Sequence, residues 1–317
     1  MPDLDFHPSA RTPDLDLQAV DSLQVNRLDP KLLYVTPQQA GLWRKVFLRH
    51  SPIHHNPEFA RIYRDAFSHG LNSLPPGKIL LVGLGCGTGA KELQLFESLR
   101  DSGHEVLFAA IDVSPDLVVE SVEKLVAAGA VHRRSLVCDL LQSDFLGNWL
   151  DRLESDLPRL ITFFGLVPNL APSVVARIFR SVLRPGDTLL VNAHLAPVES
   201  DDPNDLASAM QAVLPQYDNP ETRAWLAAAL DHLGIEDQVD PPEISIGQVE
   251  SIPAFLAASR WKIRDPFATP LQLFHSLRYT LPLFENMLRR EGFRADRLSL
   301  TSCRQEAIWS IRHAVVY

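Results

Sequence analysis

The chain has 317 residues, 46% of them hydrophobic, enough for one large domain or a core domain carrying a cap around a sizeable interior. Its formal net charge of -9 argues against a duplex-binding surface, because nucleic-acid affinity rests mostly on Lys and Arg neutralising phosphates. The start, "MPDLDFHPSARTPDLDL", lacks the basic and apolar regions of a signal peptide, and no apolar run approaches the roughly 18 residues of a membrane span, so a soluble, cytoplasmic protein is expected.

In chain order, a Pro- and Asp-rich leader over residues 1–30 is expected to lie loosely on the surface. "TPQQAGLWRKVFLRH" and "NPEFARIYRDAFSHGL" repeat apolar residues at three and four, with Thr36 and Asn56 placed as N-caps, and predict cap helices over 31–75. From Lys78 to about residue 197 the pattern alternates. "KILLVGLG", "EVLFAAIDVS", "RSLVCDL", "RLITFFGLV" and "DTLLVNAHL" read as buried strands, separated by amphipathic helices such as "AKELQLFESLRDS" and "PSVVARIFRSVL". Such alternation predicts an α/β fold with a doubly wound, mostly parallel sheet covered on both faces. Residues 198–265 read as an inserted, helical cap. Residues 266–317 return to strand-like segments, "LQLFHSLRYT" and "RLSLTSCRQEAIWSIRHAVVY", around a helix "LPLFENMLRREGF" ending at Gly292, expected to complete one edge of the sheet. The cysteines, Cys86, Cys138 and Cys303, are far apart without CxxC or Cys/His spacing. They are expected to be buried small hydrophobes, with no disulfide and no metal.

The chemistry concentrates at "KILLVGLGCGTGAKELQLF", where an apolar strand runs into Gly83, Gly85, Gly87 and Gly89 and then a helix. A turn without Cβ atoms at the carboxyl end of a parallel strand lets backbone approach a ligand. A dinucleotide and S-adenosylmethionine both fit, because the strict GxGxxG spacing is met neither from Gly83 (Thr88 at the third glycine) nor from Gly85 (Ala90). The next two strands end in Asp112 and Asp139; an acid after the second strand can accept both ribose hydroxyls, and one after the third the adenine amino group. That order favours S-adenosylmethionine, although Asp at such places also serves as a loop-starting cap.

These residues resemble the histidine-specific Nα-methyltransferase family, S-adenosylmethionine-dependent enzymes of the ergothioneine-pathway type, from about Pro30 to the C-terminal strands. The resemblance implies a class I methyltransferase Rossmann-like fold. It implies a cofactor site at "LGCGTGAK" (Gly85, Cys86, Gly87, Thr88, Lys91), "IDVS" (Asp112, Val113), "CDL" (Cys138, Asp139) and Phe164, with Gly83 standing where the family has an acid. "FFGLVPNL" places Asn169 at the family's substrate asparagine, "QYDNPETRAW" places Tyr217 at a substrate tyrosine, and "PKLLY" places Tyr34 at another. Asn169, Tyr34 and Tyr217 are therefore the expected catalytic groups, orienting an uncharged amine for in-line methyl transfer.

The substrate half departs from the family. His54 and His55 in "SPIHH" replace paired tyrosines, and the acid that would grip an imidazole falls on Phe274, with Ser276 matching a nearby serine. The expectation is methylation of a small-molecule amine, an amino acid or derivative other than free histidine. Two rivals stay open: a dinucleotide-binding oxidoreductase and a non-catalytic relative that binds the cofactor as a sensor.

Overall fold

A computed structural model describes residues 2–71, 74–198, 203–262 and 269–313. The strands are β1 (Leu4–Phe6), β2 (Lys78–Leu84), β3 (Glu105–Asp112), β4 (Val131–His132), β5 (Ser135–Val137), β6 (Arg159–Phe163), β7 (Thr188–His194), β8 (Glu243–Val249), β9 (Ile252–Ser259), β10 (Leu271–Leu277), β11 (Phe293–Leu300) and β12 (Glu306–His313). The helices are α1 (Thr12–Gln24), α2 (Pro37–His50), α3 (Pro57–Leu71), α4 (Ala90–Asp101), α5 (Pro115–Ala127), α6 (Ser143–Arg152), α7 (Pro172–Val182), α8 (Pro203–Val213), α9 (Pro220–His232) and α10 (Leu281–Arg290).

The main sheet runs β1-β5-β3-β2-β6-β7-β12-β11, with β4 pairing β3. It is parallel from β1 to β7; β12 is antiparallel to β7, and β11 to β12. The continuous apolar strands follow from burial on both faces. Leu80, Val82 and Leu84 of β2 pack with residues of α6, α7 and α10 on one face, while Ile79 and Leu81 pack with residues of α3, α4 and α5 on the other. A Thr36–Gln39 capping box starts α2, and Asn56 Oδ1 accepts from the Glu58 amide at the start of α3. At the other end of the chain Gly292, at φ +79°, ends α10 as expected.

Three expectations are corrected. The leader is not loose: β1 pairs in parallel with β5, Trp149 Nε1 donates to Asp5 at 2.9 Å, and the Asp139 amide donates to Ser9 Oγ at 3.1 Å. A three-residue strand is too short to show a period, so only its pairing reveals it. Next, β10 does not join the main sheet. It pairs with β9, which pairs with β8, in a separate three-stranded antiparallel sheet that packs with α2 and α9 around Leu32, Leu33, Trp225, Leu226, Leu271 and Leu273. The β8–β9 hairpin escaped a helical reading of the insertion because its turn places Glu250 (φ 49°) and Ser251 (φ 66°) in the left-handed region without a glycine to mark it. The expected boundary near residue 265 lies outside the described residues. Finally, Cys303 is exposed in the β11–β12 turn, whereas Cys86 and Cys138 are buried.

Candidate active site

A cavity of about 300 Å³ opens where β2, β3, β6 and β7 end, beneath the three-stranded sheet and the N-terminal segments. Its floor is the glycine turn. Gly85 sits at φ +62°, and a Cβ there would lie 2.2 Å from Leu166 Cδ1; Gly89 sits at φ +67°, and a Cβ there would lie 2.4 Å from Ser121 Oγ. Only glycine meets both the conformation and the space. Lys124 Nζ on α5 donates to the Thr88 carbonyl at 2.5 Å and pins the loop to the neighbouring helix.

Asp112 ends β3 in the cavity wall, with Oδ2 accepting from the Gly87 amide at 3.1 Å and Oδ1 from the Ser114 amide at 3.0 Å. Burial raises its pKa, and these backbone donors oppose the rise. Each oxygen keeps a lone pair, so the carboxylate can accept two hydroxyls. Asp139 receives the Leu141 amide at 2.9 Å on Oδ1 and the ammonium of buried Lys31 on Oδ2; Lys31 also pairs with Asp29 at 3.1 Å. Val113 and Phe164 line the same space. Lys91 lies 4.7 Å over the Tyr63 ring and 5.5 Å over Phe164, while burial lowers its pKa. Glycines a Cβ would jam, a ribose-ready acid and an adenine-ready acid fit an adenosyl ligand.

The roof is aromatic. Tyr34 packs between Trp43 (6.0 Å) and Trp225 (5.4 Å), Trp43 stacks on Phe47 at 5.5 Å and 8°, and Phe274 meets Trp225 edge-on at 5.7 Å. Burial, with Asp112 nearby, raises the Tyr34 pKa, so its hydroxyl stays protonated. Phe274 and Ser276 share a face of β10, and both line the cavity. Opposite stands a polar corner: Tyr217 Oη accepts from Arg278 Nη2 at 2.8 Å and lies 3.0 Å from Ser276 Oγ and 3.3 Å from His194 Nδ1. Burial first, then Arg278 and Lys91, drive the His194 pKa well below its ordinary value, which keeps the imidazole neutral and fit to make hydrogen bonds rather than to take up a proton. Asn169 donates to the Gly165 carbonyl at 3.3 Å and turns its amide towards the same space.

Gly85, Cys86, Gly87, Thr88, Lys91, Asp112, Val113, Asp139 and Phe164 thus gather around one cavity with Asn169, Tyr34, Tyr217, Phe274 and Ser276. Three expected residues stay out of its lining. The Cys138 side chain is buried beneath, its Sγ facing Ser9 and the Asp139 carbonyl, because alternation along the strand end sends its neighbour Asp139 into the cavity instead. His54 and His55 are exposed: His54 packs edge-on against Phe47 at 4.7 Å, and His55 Nε2 bonds the Leu48 carbonyl, both behind α2. Sequence reasoning missed Lys31, Glu92, His194 and Arg278. For His194 a signal existed, since it closes a parallel strand at the end where ligands of such sheets collect.

A family model described as histidine-specific, SAM-dependent methyltransferase matches residues 60–223, just over half of the chain. Similar solved structures include an S-adenosylmethionine-dependent methyltransferase from Clostridium acetobutylicum (12% identity, covering 86% of this chain and 97% of that one, TM-score 0.46). DesVI of Streptomyces venezuelae is also 12% identical, covering 87% and 98%, TM-score 0.43. An amino pentose methyltransferase from Micromonospora echinaspora, solved with SAM bound, is 10% identical, covering 78% and 89%, TM-score 0.38. No curated protein matches the chain. The family match gives no support to a dinucleotide oxidoreductase. With the family model lying over the glycine turn and the strand-end acids, the chain belongs to the histidine-specific, S-adenosylmethionine-dependent methyltransferase family, and S-adenosylmethionine is its cofactor.

Proposed function

We propose that the protein N-methylates a small molecule, an amino acid or derivative whose far end is less polar than an imidazole. When bound, the cofactor supplies an electrophilic methyl group. The chain has to place an uncharged nitrogen against it and keep water out. Asn169, Tyr34 and Tyr217 orient the already uncharged amine through hydrogen bonds, and Tyr217 keeps its own proton. Because Arg278 always donates to Tyr217 Oη, the phenol hydrogen is directed to His194 Nδ1 or Ser276 Oγ. The aromatic roof excludes water and suits a cationic ligand.

The observation that carries this reading is Phe274, which lines the cavity against Trp225 where a histidine-gripping acid is expected. A polar group facing a phenyl ring loses its water without gaining a partner, at about 1–3 kcal/mol per hydrogen bond, enough to reject a substrate by orders of magnitude. The proposal is tested by steady-state methylation of histidine against the other amino acids and simple biogenic amines. We expect an acceptor with an apolar or aromatic end to lead. Histidine as the best acceptor would overturn the proposal, and adenosylhomocysteine binding with no turnover across the panel would favour the sensor.

A further inference from the structure

We propose that Glu92 supplies the carboxylate that receives the α-ammonium group of the cofactor, delivered from a helix because the strand end has a glycine. Glu92 stands in the first turn of α4, 3% exposed, and lines the cavity beside the glycine turn. Its Oε1 accepts from Thr162 Oγ1 at 2.7 Å, and Thr162 is paired with Gly83 across β6 and β2. A Cβ built on Gly83 would lie 3.3 Å from Glu92 Cγ and 3.0 Å from Cys86 Cβ, so the Glu92 side chain occupies the space that a side chain at position 83 would fill. A side chain at position 83 would therefore crowd Cys86 and Glu92, and in this chain the carboxylate at that point comes from the helix.

The remaining carboxylates of the cavity are spoken for. Asp29 and Asp139 pair with Lys31, and Asp112 is held by backbone amides. Among the described residues no Lys, Arg or His forms an ion pair with Glu92, and the nearby Lys91 ammonium sits over the Tyr63 and Phe164 rings instead. A buried carboxylate with no cation in direct contact is costly: burial raises its pKa, and the Thr162 hydroxyl, its own amide and the more distant Lys91 and Lys124 charges offset that rise only in part. A ligand bringing an ammonium to this point removes that cost, and the resulting charge-assisted hydrogen bond makes the site select for the amino group. Since Asp112 and Asp139 stand ready for the ribose and adenine, the glycine turn beside Glu92 is left for the methionyl end of the ligand.

The test uses binding alone and is independent of the acceptor. Calorimetry compares adenosylhomocysteine with 5′-(3-carboxypropylthio)adenosine, which differs only in lacking the amino group, for the wild type, Glu92→Gln and Glu92→Asp. The wild type is expected to prefer the amino-bearing ligand by about tenfold or more. Glu92→Gln, which keeps the shape and a partner for Thr162, should erase that preference by weakening adenosylhomocysteine alone; Glu92→Asp should reduce it. A wild type with no preference, an equal loss for both ligands, or a preference unchanged in Glu92→Gln (or in Glu92→Asp, should the Gln protein not fold) would overturn the proposal.

Discussion

Asp112 illustrates how one side chain can hold a loop and still face a cavity. Its two oxygens hold the Gly87 and Ser114 amides, so the carboxylate is fixed in place before any hydroxyl arrives. We expect Asp112→Ala to weaken adenosylhomocysteine about a hundredfold or more, since two hydrogen bonds to a charged acceptor are worth about 1.5–3 kcal/mol each. Calorimetric titration decides it; an unchanged affinity would mean that the strand end is not the ribose site. Asn169 should behave in the opposite way. Its amide makes one hydrogen bond, to Gly165, and otherwise faces the cavity, so Asn169→Ala should cut methyl transfer at least tenfold while leaving adenosylhomocysteine affinity within about twofold. Loss of cofactor binding and melting temperature together would assign Asn169 to the scaffold instead.

At the scale of elements, the N-terminal segment is the feature that ties cap to cofactor site. β1 covers the edge of β5, Ser9 takes the Asp139 amide, and Lys31, in the short helical turn before Tyr34, neutralises the Asp139 carboxylate. Two of these contacts converge on Asp139, and the third braces the strand that leads to it, all from a stretch whose composition reads as surface leader. Deleting residues 2–10 uncovers a strand edge and frees the Asp139 amide. We expect a melting temperature several degrees lower and weaker adenosylhomocysteine binding, both read in one thermal-shift titration. A deletion protein that melts and binds like the full chain would show that the edge strand contributes nothing to the site.

Over the whole molecule, buried histidines set the response to acid. Burial, with Arg27 nearby, brings His275 down from 6.5 to about 4, and burial with Arg278 and Lys91 drives His194 lower than its ordinary value as well. A histidine depressed in the folded state takes its proton more readily when unfolded. Its stabilising contribution is therefore fully present above pH 6.5 and is lost as the pH falls from 6.5 towards about 4. Each such group gives a slope of up to about 1.4 kcal/mol per pH unit inside that window. Urea unfolding from pH 7.5 to 4.5 should show stability falling on the acid side, and His275→Asn should flatten the fall. An identical slope in that variant would place the acid sensitivity elsewhere. Among the described residues no helix is long and apolar enough to cross a membrane.

Local physics was enough for the sequence to determine much of this protein. Apolar runs of strand length alternating with amphipathic helices imply a covered parallel sheet, and glycines followed by Asp112 and Asp139 at successive strand ends imply the adenosyl site, because period and turn chemistry are properties of neighbours in the chain. Elsewhere the partner lies far along it. Phe274 and Tyr217 come from different segments of the cap, and His194 meets Tyr217 only because β7 ends under the three-stranded sheet. His54 and His55 look like site residues beside "SPI", yet they pack outward against α2, and Glu92 looks like an ordinary first-turn acid until its side chain is seen lying over Gly83. Only the tertiary structure decided these, since burial, charge pairing and the shape of a cavity are set by chain segments that no local pattern brings together.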